Sequence, residues 1–446
     1  MKKTKIHIVS LGCPKNLVDS EVISAGFAKD GFKITPHEEE ADIILINTCA
    51  FIISAKEESI AEIFRLAEWK AKGSCKYLIV AGCLPQRYGS LLEKEIPEVD
   101  LFIGTGEVDE IRFHIRKLQN RSLESRSIIR IPKFLMDSSH QRMILTPSYM
   151  AYLKIAEGCS NRCSYCIIPG VRGELRSRQL EDIVAEAEFL ASKGVKELIL
   201  IAQDTTAYGS DLKGKPGLDH LMKSISGIRD IRWIRLLYTH PASLKKTVLE
   251  TMAREEKICH YIDLPIQHIN DEILRSMSRK LGSNQIRKKI KLARTMMPDL
   301  ALRTSIIVGF PGETTEHFRQ LMEFVREIQF DHLGVFTYSK EEGTPAAKFP
   351  LQVPEKIKQK RWDLLMEEQA AISFNINRNL IGSVQEVVIE GKSDMPGYVS
   401  ARGRRQAPEI DGITYVKKKG VKLRTGTFIQ CRIVSAGEYD LFAEAL

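Results

Sequence analysis

The run Glu157-Gly-Cys-Ser-Asn-Arg-Cys-Ser-Tyr-Cys166 sets three cysteines, Cys159, Cys163 and Cys166, with three and then two residues between them, directly after the strand-like segment Tyr152-Leu-Lys-Ile-Ala156. The chain has nine cysteines in 446 residues; cysteine frequency alone produces that spacing roughly 0.004 times per chain, so chance is a poor explanation. Thiolate is the ligand that iron–sulfur clusters take, and a loop this short can wrap three sulfurs around one cubane. A structural zinc needs a fourth Cys or His to close its tetrahedron, and the loop offers none. An iron–sulfur centre is therefore predicted, with zinc or inert core thiols as the alternatives.

Working outward from the loop, α/β alternation predicts strands at 152–157, 197–203, 232–238, 261–267, 301–308 and 332–338, separated by helix-length segments such as 181–192 and 316–328. Six βα units predict an open, partial barrel. Active sites of such barrels collect at the carboxyl ends of the strands, where the three-cysteine loop falls. Polar residues at the other strand ends, Gln203-Asp-Thr-Thr206, Gln267-His268, Arg303 and Ser305, are candidates to line the cavity. Gly309-Phe-Pro-Gly-Glu-Thr314 reads as a βα turn whose backbone amides could face a ligand.

At the cysteine loop the chain resembles the radical S-adenosylmethionine enzymes, which carry three cysteines at this spacing with an aromatic before the last, here Tyr165. The resemblance implies a 4Fe-4S cluster with one open iron that chelates S-adenosylmethionine and cleaves it reductively to a 5′-deoxyadenosyl radical. Tyr165 would pack near the adenine. Gln203 and Ser305 become cofactor contacts, and Arg303, with its charged bidentate fork, the expected partner of the cofactor carboxylate.

The first 120 residues alternate apolar runs at 6–11, 42–47, 77–81 and 101–104 with amphipathic segments, a pattern that predicts a doubly wound parallel sheet. Cys13, Cys49 and Cys83 follow three successive strands, and strand carboxyl ends are where ligands gather in such sheets. Singly, each reads as a small buried hydrophobe; three at equivalent positions can converge on a second cluster. Cys75 precedes its strand and is left out. Leu11-Gly-Cys-Pro-Lys-Asn-Leu-Val-Asp-Ser-Glu21, Asn47-Thr-Cys-Ala-Phe-Ile52 with Ala55-Lys-Glu-Glu-Ser59, and Gly82-Cys-Leu84 with Gln86-Arg-Tyr88 are similar to the methylthiotransferase family, with Ala50 where glycine is expected. That resemblance implies a second 4Fe-4S cluster on Cys13, Cys49 and Cys83.

Residues 121–149 are mixed and basic, with Arg121, Arg126, Arg130, Lys133 and Arg142, and read as a solvated linker with one hairpin. Residues 355–378 form an amphipathic helix. Beyond it the period switches to two, as in Val384-Gln-Glu-Val-Val-Ile389, predicting a small all-β barrel that resembles the TRAM module. The expected division is 1–120 for the N-terminal domain, 121–149 for the linker, 150–372 for the partial barrel and the start of its connecting helix, and 373–446 for the small barrel. No run of eighteen apolar residues occurs, so no membrane span is expected. The short, broken apolar run at the N-terminus does not fit a signal peptide, and cysteines in ligand-like positions favour a reducing cytoplasm over disulfides. A net charge of +9 is compatible with an anionic partner such as RNA or a ribosomal particle, or with solubility alone.

Taken over the whole chain, the resemblance implies a methylthiotransferase with two 4Fe-4S clusters. One S-adenosylmethionine methylates a sulfur on the N-terminal cluster, a second yields the radical, and the methylthio group couples to an unactivated carbon. Gln203-Asp-Thr-Thr206, Lys340-Glu-Glu-Gly-Thr344 and Ala407-Pro-Glu-Ile-Asp-Gly412 favour the RimO type, which modifies the β-carbon of an aspartate in small-subunit ribosomal protein S-twelve. The alternatives are a tRNA-adenosine methylthiotransferase of the MiaB type, toward which the run Lys417-Lys-Lys419 points, and a non-catalytic iron–sulfur protein that binds RNA or the ribosome. An electron-donating reductase is the further expected partner. Residues 379–446 hold ten Lys and Arg against eight Asp and Glu. An acidic strip of Glu409, Asp411, Glu438 and Asp440 is expected to meet a basic ribosomal protein, and loss of residues 379–446 to spare S-adenosylmethionine cleavage.

Overall fold

The computed structural model describes residues 3–418 and 423–446. Its first sheet has six parallel strands, β1 (Lys5–Ser10), β2 (Lys33–Ile34), β3 (Ile43–Thr48), β4 (Tyr77–Gly82), β5 (Leu101–Ile103) and β6 (Ser127–Ile128), in the order β2-β1-β3-β4-β5-β6. Ile43-Ile-Leu-Ile46 is apolar throughout because both faces of β3 are covered. Ile43 and Leu45 pack with Val18, Val22 and Phe27 of helix Pro14–Lys29. Ile44 and Ile46 pack with Ile63 and Leu66 of helix Ile53–Ala67 and Leu84 of helix Cys83–Glu95. This is the doubly wound arrangement expected, and β1 and β3 flank the point where strand order reverses, the position at which such sheets bind ligands.

Segment 121–149 departs from expectation. Instead of a hairpin it supplies β6, a parallel edge strand, because β5 has open edge groups to satisfy: the Phe102 and Gly104 N–H groups donate to the carbonyls of Arg126 (2.7 Å) and Ile128 (2.9 Å). Its Arg142 is no solvated cation. The guanidinium is buried, 2.5 Å from Glu21 and paired also with Glu186, so it ties the segment to both neighbouring domains.

The second sheet has six parallel strands, β7 (Met150–Lys154), β8 (Glu197–Ile201), β9 (Trp233–Leu236), β10 (Ile258–Asp263), β11 (Ala301–Val308) and β12 (His332–Thr337), in the order β12-β11-β10-β9-β8-β7. It is the open partial barrel of the sequence reading. Along β11, Arg303, Ser305 and Ile307 are the half-buried positions and Thr304, Ile306 and Val308 the fully buried ones, so the first three share one face and the last three pack toward the helices.

Helix Glu355–Arg378 spans the expected boundary at 372, its Trp362 Nε1 donating to the Val335 carbonyl at 2.9 Å. It leads into the small closed barrel of β13 (Val384–Lys392), β14 (Tyr398–Gly403), β15 (Thr414–Lys417), β16 (Phe428–Ala436) and β17 (Leu441–Ala445). This barrel seals the amino-terminal end of the second sheet. Glu197, the first residue of β8, is fully buried and accepts from Arg402 at 2.5 Å and Arg235 at 3.0 Å. The indole of Trp233, first in β9, donates to Glu386 at 2.8 Å. The loop 404–412 carries Ala407 into the same core as Tyr152, Trp233 and Tyr261.

The small barrel is thus packed into the larger one, which argues against its loss sparing radical chemistry: removing residues 379–446 would expose Trp233 and leave Glu197 without Arg402. Removing one partner of a buried ion pair costs about 3–5 kcal/mol. Arg402→Ala is therefore expected to lower the melting temperature markedly, and the chain truncated after residue 378 to be recovered as aggregate. Calorimetry and size-exclusion chromatography check both.

Candidate active site

Three turns at the carboxyl rim of the first sheet bring Cys13, Cys49 and Cys83 together, each within electrostatic reach of the others. Two of the turns need glycine. Gly12 has φ +85°, and a Cβ there would meet Cys49 Cβ at 2.6 Å; Gly82 has φ +97°, and a Cβ there would meet Asn47 Oδ1 at 2.3 Å. Side-chain amides lock the strand ends in place. Asn16 Nδ2 donates to the carbonyls of Leu11 (3.0 Å) and Thr48 (2.9 Å), and Asn47 Nδ2 to the Asn16 carbonyl (2.9 Å). Burial pushes the Cys13 thiol up, but Lys15, Arg172 and the amides of Asn16 and Lys15 outweigh it and hold the thiol below its ordinary value. Cys49 is raised by burial, which outweighs the Phe51 and Ala50 amides and Arg172; Cys83 is pushed by burial to about 12, Arg172 opposing. Cys75, which precedes β4, lies in the apolar core.

The central loop is held from several sides. Cys159 N–H donates to the Gly173 carbonyl (3.0 Å), Ser164 N–H to the Met277 carbonyl (3.1 Å), and Asn161 Nδ2 to Asp204 (2.6 Å). Cys159, Cys163 and Cys166 face one another, burial raising Cys159 and taking Cys166 to about 12. Tyr165 packs in a cluster with Met277, Phe310 and Tyr338. Its hydroxyl accepts from Arg279 Nη1 at 3.4 Å, and the same nitrogen lies 3.8 Å from Cys163 Sγ. Arg279 has no motif around it in sequence; its role is visible only once the chain is folded.

Between the two triads runs a buried ion network. Lys154 pairs with Asp19 and, at 2.9 Å, with Glu157; Arg172, six residues beyond Cys166, pairs with Asp19 at 2.7 Å and stands 3.5 Å from Glu157. Arg172 also donates to Asn16. Gln203 Nε2 donates to Glu157 at 2.6 Å, while its buried Oε1 has no partner among the described residues. Burial would raise the Glu157 carboxyl, but Lys154 and Arg172 bring it to about 2.

Two expectations need correction. Arg303 is already engaged, its Nη1 donating to Asp411 at 3.0 Å with Nε 3.7 Å from Asp263. It lies early in β11, away from the carboxyl rim, so its fork is committed to the loop that closes the barrel floor. Asp411 accordingly faces no outside partner: its side chain is fully buried and also accepts from the Tyr261 hydroxyl at 2.7 Å. Ser305 lies next to Arg303 on the same face of β11, its carbonyl accepting from Gln267 N–H at 2.9 Å. The Gly309 and Phe310 amides are taken by Glu313 (2.6 and 3.2 Å), so this turn serves itself. Lys417 and Lys418 are exposed; Lys419 lies outside the described residues.

Family models match residues 5–104 (uncharacterized protein family UPF0004), 153–325 (radical SAM superfamily) and 381–446 (TRAM domain). The solved radical S-adenosylmethionine methyltransferase TsrM from Kitasatospora setae, with cobalamin and a 4Fe-4S cluster bound, shares the fold with a TM-score of 0.58 at 14% identity, covering 89% of this chain and 82% of its own. OxsB, a cobalamin-dependent radical enzyme, does so with a TM-score of 0.53 at 12% identity, over 83% and 56%. Fold and matched domains define a radical S-adenosylmethionine enzyme with an appended TRAM domain. Proteins named ribosomal protein uS12 methylthiotransferase RimO are 58% identical in Syntrophus aciditrophicus and 50% identical in Geobacter sulfurreducens, each over 100% of this chain and 99% of its own. The chain belongs to the RimO family of methylthiotransferases.

Arg172, like Lys154, bridges Asp19 and Glu157, so Arg172→Leu is expected to cost about 3–5 kcal/mol by leaving buried carboxylates short of charge. Because the Glu157 carboxyl is depressed in the folded state, its contribution is present above the ordinary carboxylate range and is lost as pH falls from about 5 toward 2. Acid unfolding followed by circular dichroism should begin at higher pH in Arg172→Leu than in the unmodified protein.

Proposed function

We propose that this protein inserts a methylthio group at the β-carbon of an aspartate in ribosomal protein uS12. In this reading Cys159, Cys163 and Cys166 hold the radical-generating 4Fe-4S cluster, and Cys13, Cys49 and Cys83 hold the sulfur-carrying one. The observation that carries it is the pair of three-thiol sites, each at a carboxyl-end rim, joined by the Lys154, Asp19, Arg172 and Glu157 network. The donor set fits: three thiolates suit iron–sulfur ligation, and Arg172 at one site and Arg279 at the other would balance a thiolate-rich, anionic centre. Among the described residues no three His, Cys, Asp or Glu side chains gather tightly enough to chelate a single ion; a cubane spreads its sulfurs more widely.

When bound, the clusters and S-adenosylmethionine supply the radical and the methylthio group, chemistry suited to a carbon whose proton no side-chain base removes. The chain's own residues do the placing. Gln203, with its unpartnered carbonyl oxygen, is positioned to accept a hydrogen bond from bound cofactor. Tyr165 offers an aromatic wall, and the loop 404–412 closes the barrel floor against water. Arg303 is withdrawn as a cofactor ligand and kept as a brace between β11 and Asp411, with Ser305 beside it facing the lumen.

A tRNA substrate finds less support. Binding through several phosphates needs free cations, yet Arg402, Arg404 and Arg405 of the small barrel are committed to Glu197, to the Glu256 and Ile258 carbonyls, and to Asp331. The work would take place in the cytoplasm, with a reductase as electron donor; no helix among the described residues is long and apolar enough to cross a membrane.

Anaerobically reconstituted protein is expected to carry about eight irons, falling to about four when Cys159, Cys163 and Cys166 become alanine. Replacing Cys13, Cys49 and Cys83 should abolish methylthio transfer and leave 5′-deoxyadenosine production measurable. Mass spectrometry of ribosomal protein and bulk tRNA from a deletion strain decides the substrate: unmodified uS12 supports the proposal, while modified uS12 beside tRNA lacking methylthioadenosine overturns it.

A further inference from the structure

Lys15 sits between Pro14 and Asn16 in the first cysteine turn, and its side chain leaves the N-terminal sheet for the barrel. The residue is 7% exposed, and its ammonium stands 3.2 Å above the ring of Tyr238, just beyond the carboxyl end of β9. The charged groups facing it are Cys13 and Arg172 from the first site and its neighbouring helix, Glu157 from the central strand and Asp263 from β10. Both carboxylates are engaged elsewhere. Glu157 serves Lys154 and Gln203; Asp263 accepts the Tyr238 N–H at 2.9 Å and stands 3.7 Å from Arg303. Asp19, close by in sequence, is held by Lys154 and Arg172. No carboxylate of the described residues forms an ion pair with Lys15.

A buried ammonium beside one aromatic face, a second cation and the Cys13 thiol, with both nearby carboxylates held by other groups, is incompletely compensated, since a ring and one thiol supply only part of what water or a carboxylate would. A carboxylate from outside the chain would complete it, and the position of Lys15, beside the first triad and over the ring that borders the barrel, would put that carboxylate between the two cysteine sites. We propose that Lys15 anchors the carboxylate of the substrate side chain and so holds its β-carbon between the sites. The inference rests on the function proposed above and extends it to specificity: an adenine base brings no negative charge to this point and would leave the ammonium unpaired, which selects against it. The competing partner for Lys15 is the first cluster itself.

The test uses reconstituted enzyme, recombinant uS12 and a uS12 variant with asparagine at the acceptor position, with affinities measured by isothermal titration calorimetry. A charge-assisted contact predicts that the unmodified enzyme binds the aspartate form roughly 10-fold or more tighter than the asparagine form. Lys15→Met should bind both forms as weakly as the unmodified enzyme binds the asparagine form, Lys15→Arg should keep most of the preference, and iron content and visible absorption should be unchanged in both. Equal binding of the two forms by the unmodified enzyme overturns the anchor without any variant having to fold. So does a preference that survives in Lys15→Met, or a Lys15→Met protein that loses iron or shifts its cluster absorption. Failure of the unmodified enzyme to methylthiolate uS12, with tRNA modified instead, removes the functional reading itself and is read in a separate assay.

Discussion

Four buried charges, Asp19, Lys154, Glu157 and Arg172, make one arrangement of the two cysteine sites far more favourable than any other. Asp19 belongs to the N-terminal domain and the other three to the barrel, so neither domain can satisfy its charges alone. An ion buried without its partner is expensive, which makes the network a registration device: the rim that carries Cys13, Cys49 and Cys83 must face the rim that carries the central loop. Arg172 follows Cys166 by one short helix, so the loop that would hold one cluster also sends a cation to the other.

The same logic repeats at the edges of the molecule. Glu341 receives Lys56 and Arg87, each at 2.8 Å, which clamps the loop after β12 onto the first domain. Asp411 receives Arg303 and Tyr261, which fixes the loop of the small barrel in the floor of the larger one. Gln203 and Asp204 tie the end of β8 to Glu157 and Asn161. These are the tracts on which the family resemblance rests. Much of what distinguishes the family in sequence is therefore the set of contacts by which its domains are held to one another.

The small β barrel illustrates how far a fold-level analogy reaches. As a module it invites an RNA-binding role, but three of its arginines, Arg402, Arg404 and Arg405, are turned inward to Glu197, Asp331 and the carbonyls of β10 and its preceding turn, leaving Arg424 and Arg432 exposed. Its contribution to chemistry is to shut the amino-terminal end of the barrel, leaving the carboxyl rim as the working face.

The sequence by itself determined the two cysteine sets, the alternation that makes both parallel sheets, the switch of period at the small barrel and the helix leading into it. Thiol spacing and apolar periodicity are local properties, and local properties survive in one dimension. Only the tertiary structure decided which charges meet. Arg303 looked free because Asp411 is 108 positions away, and Arg142 looked solvated because Glu21 lies 121 positions before it. Lys15 passed as one basic residue in a motif. A buried charge is defined by its partners, partners are brought by the fold across any separation in sequence, and no periodicity records that pairing.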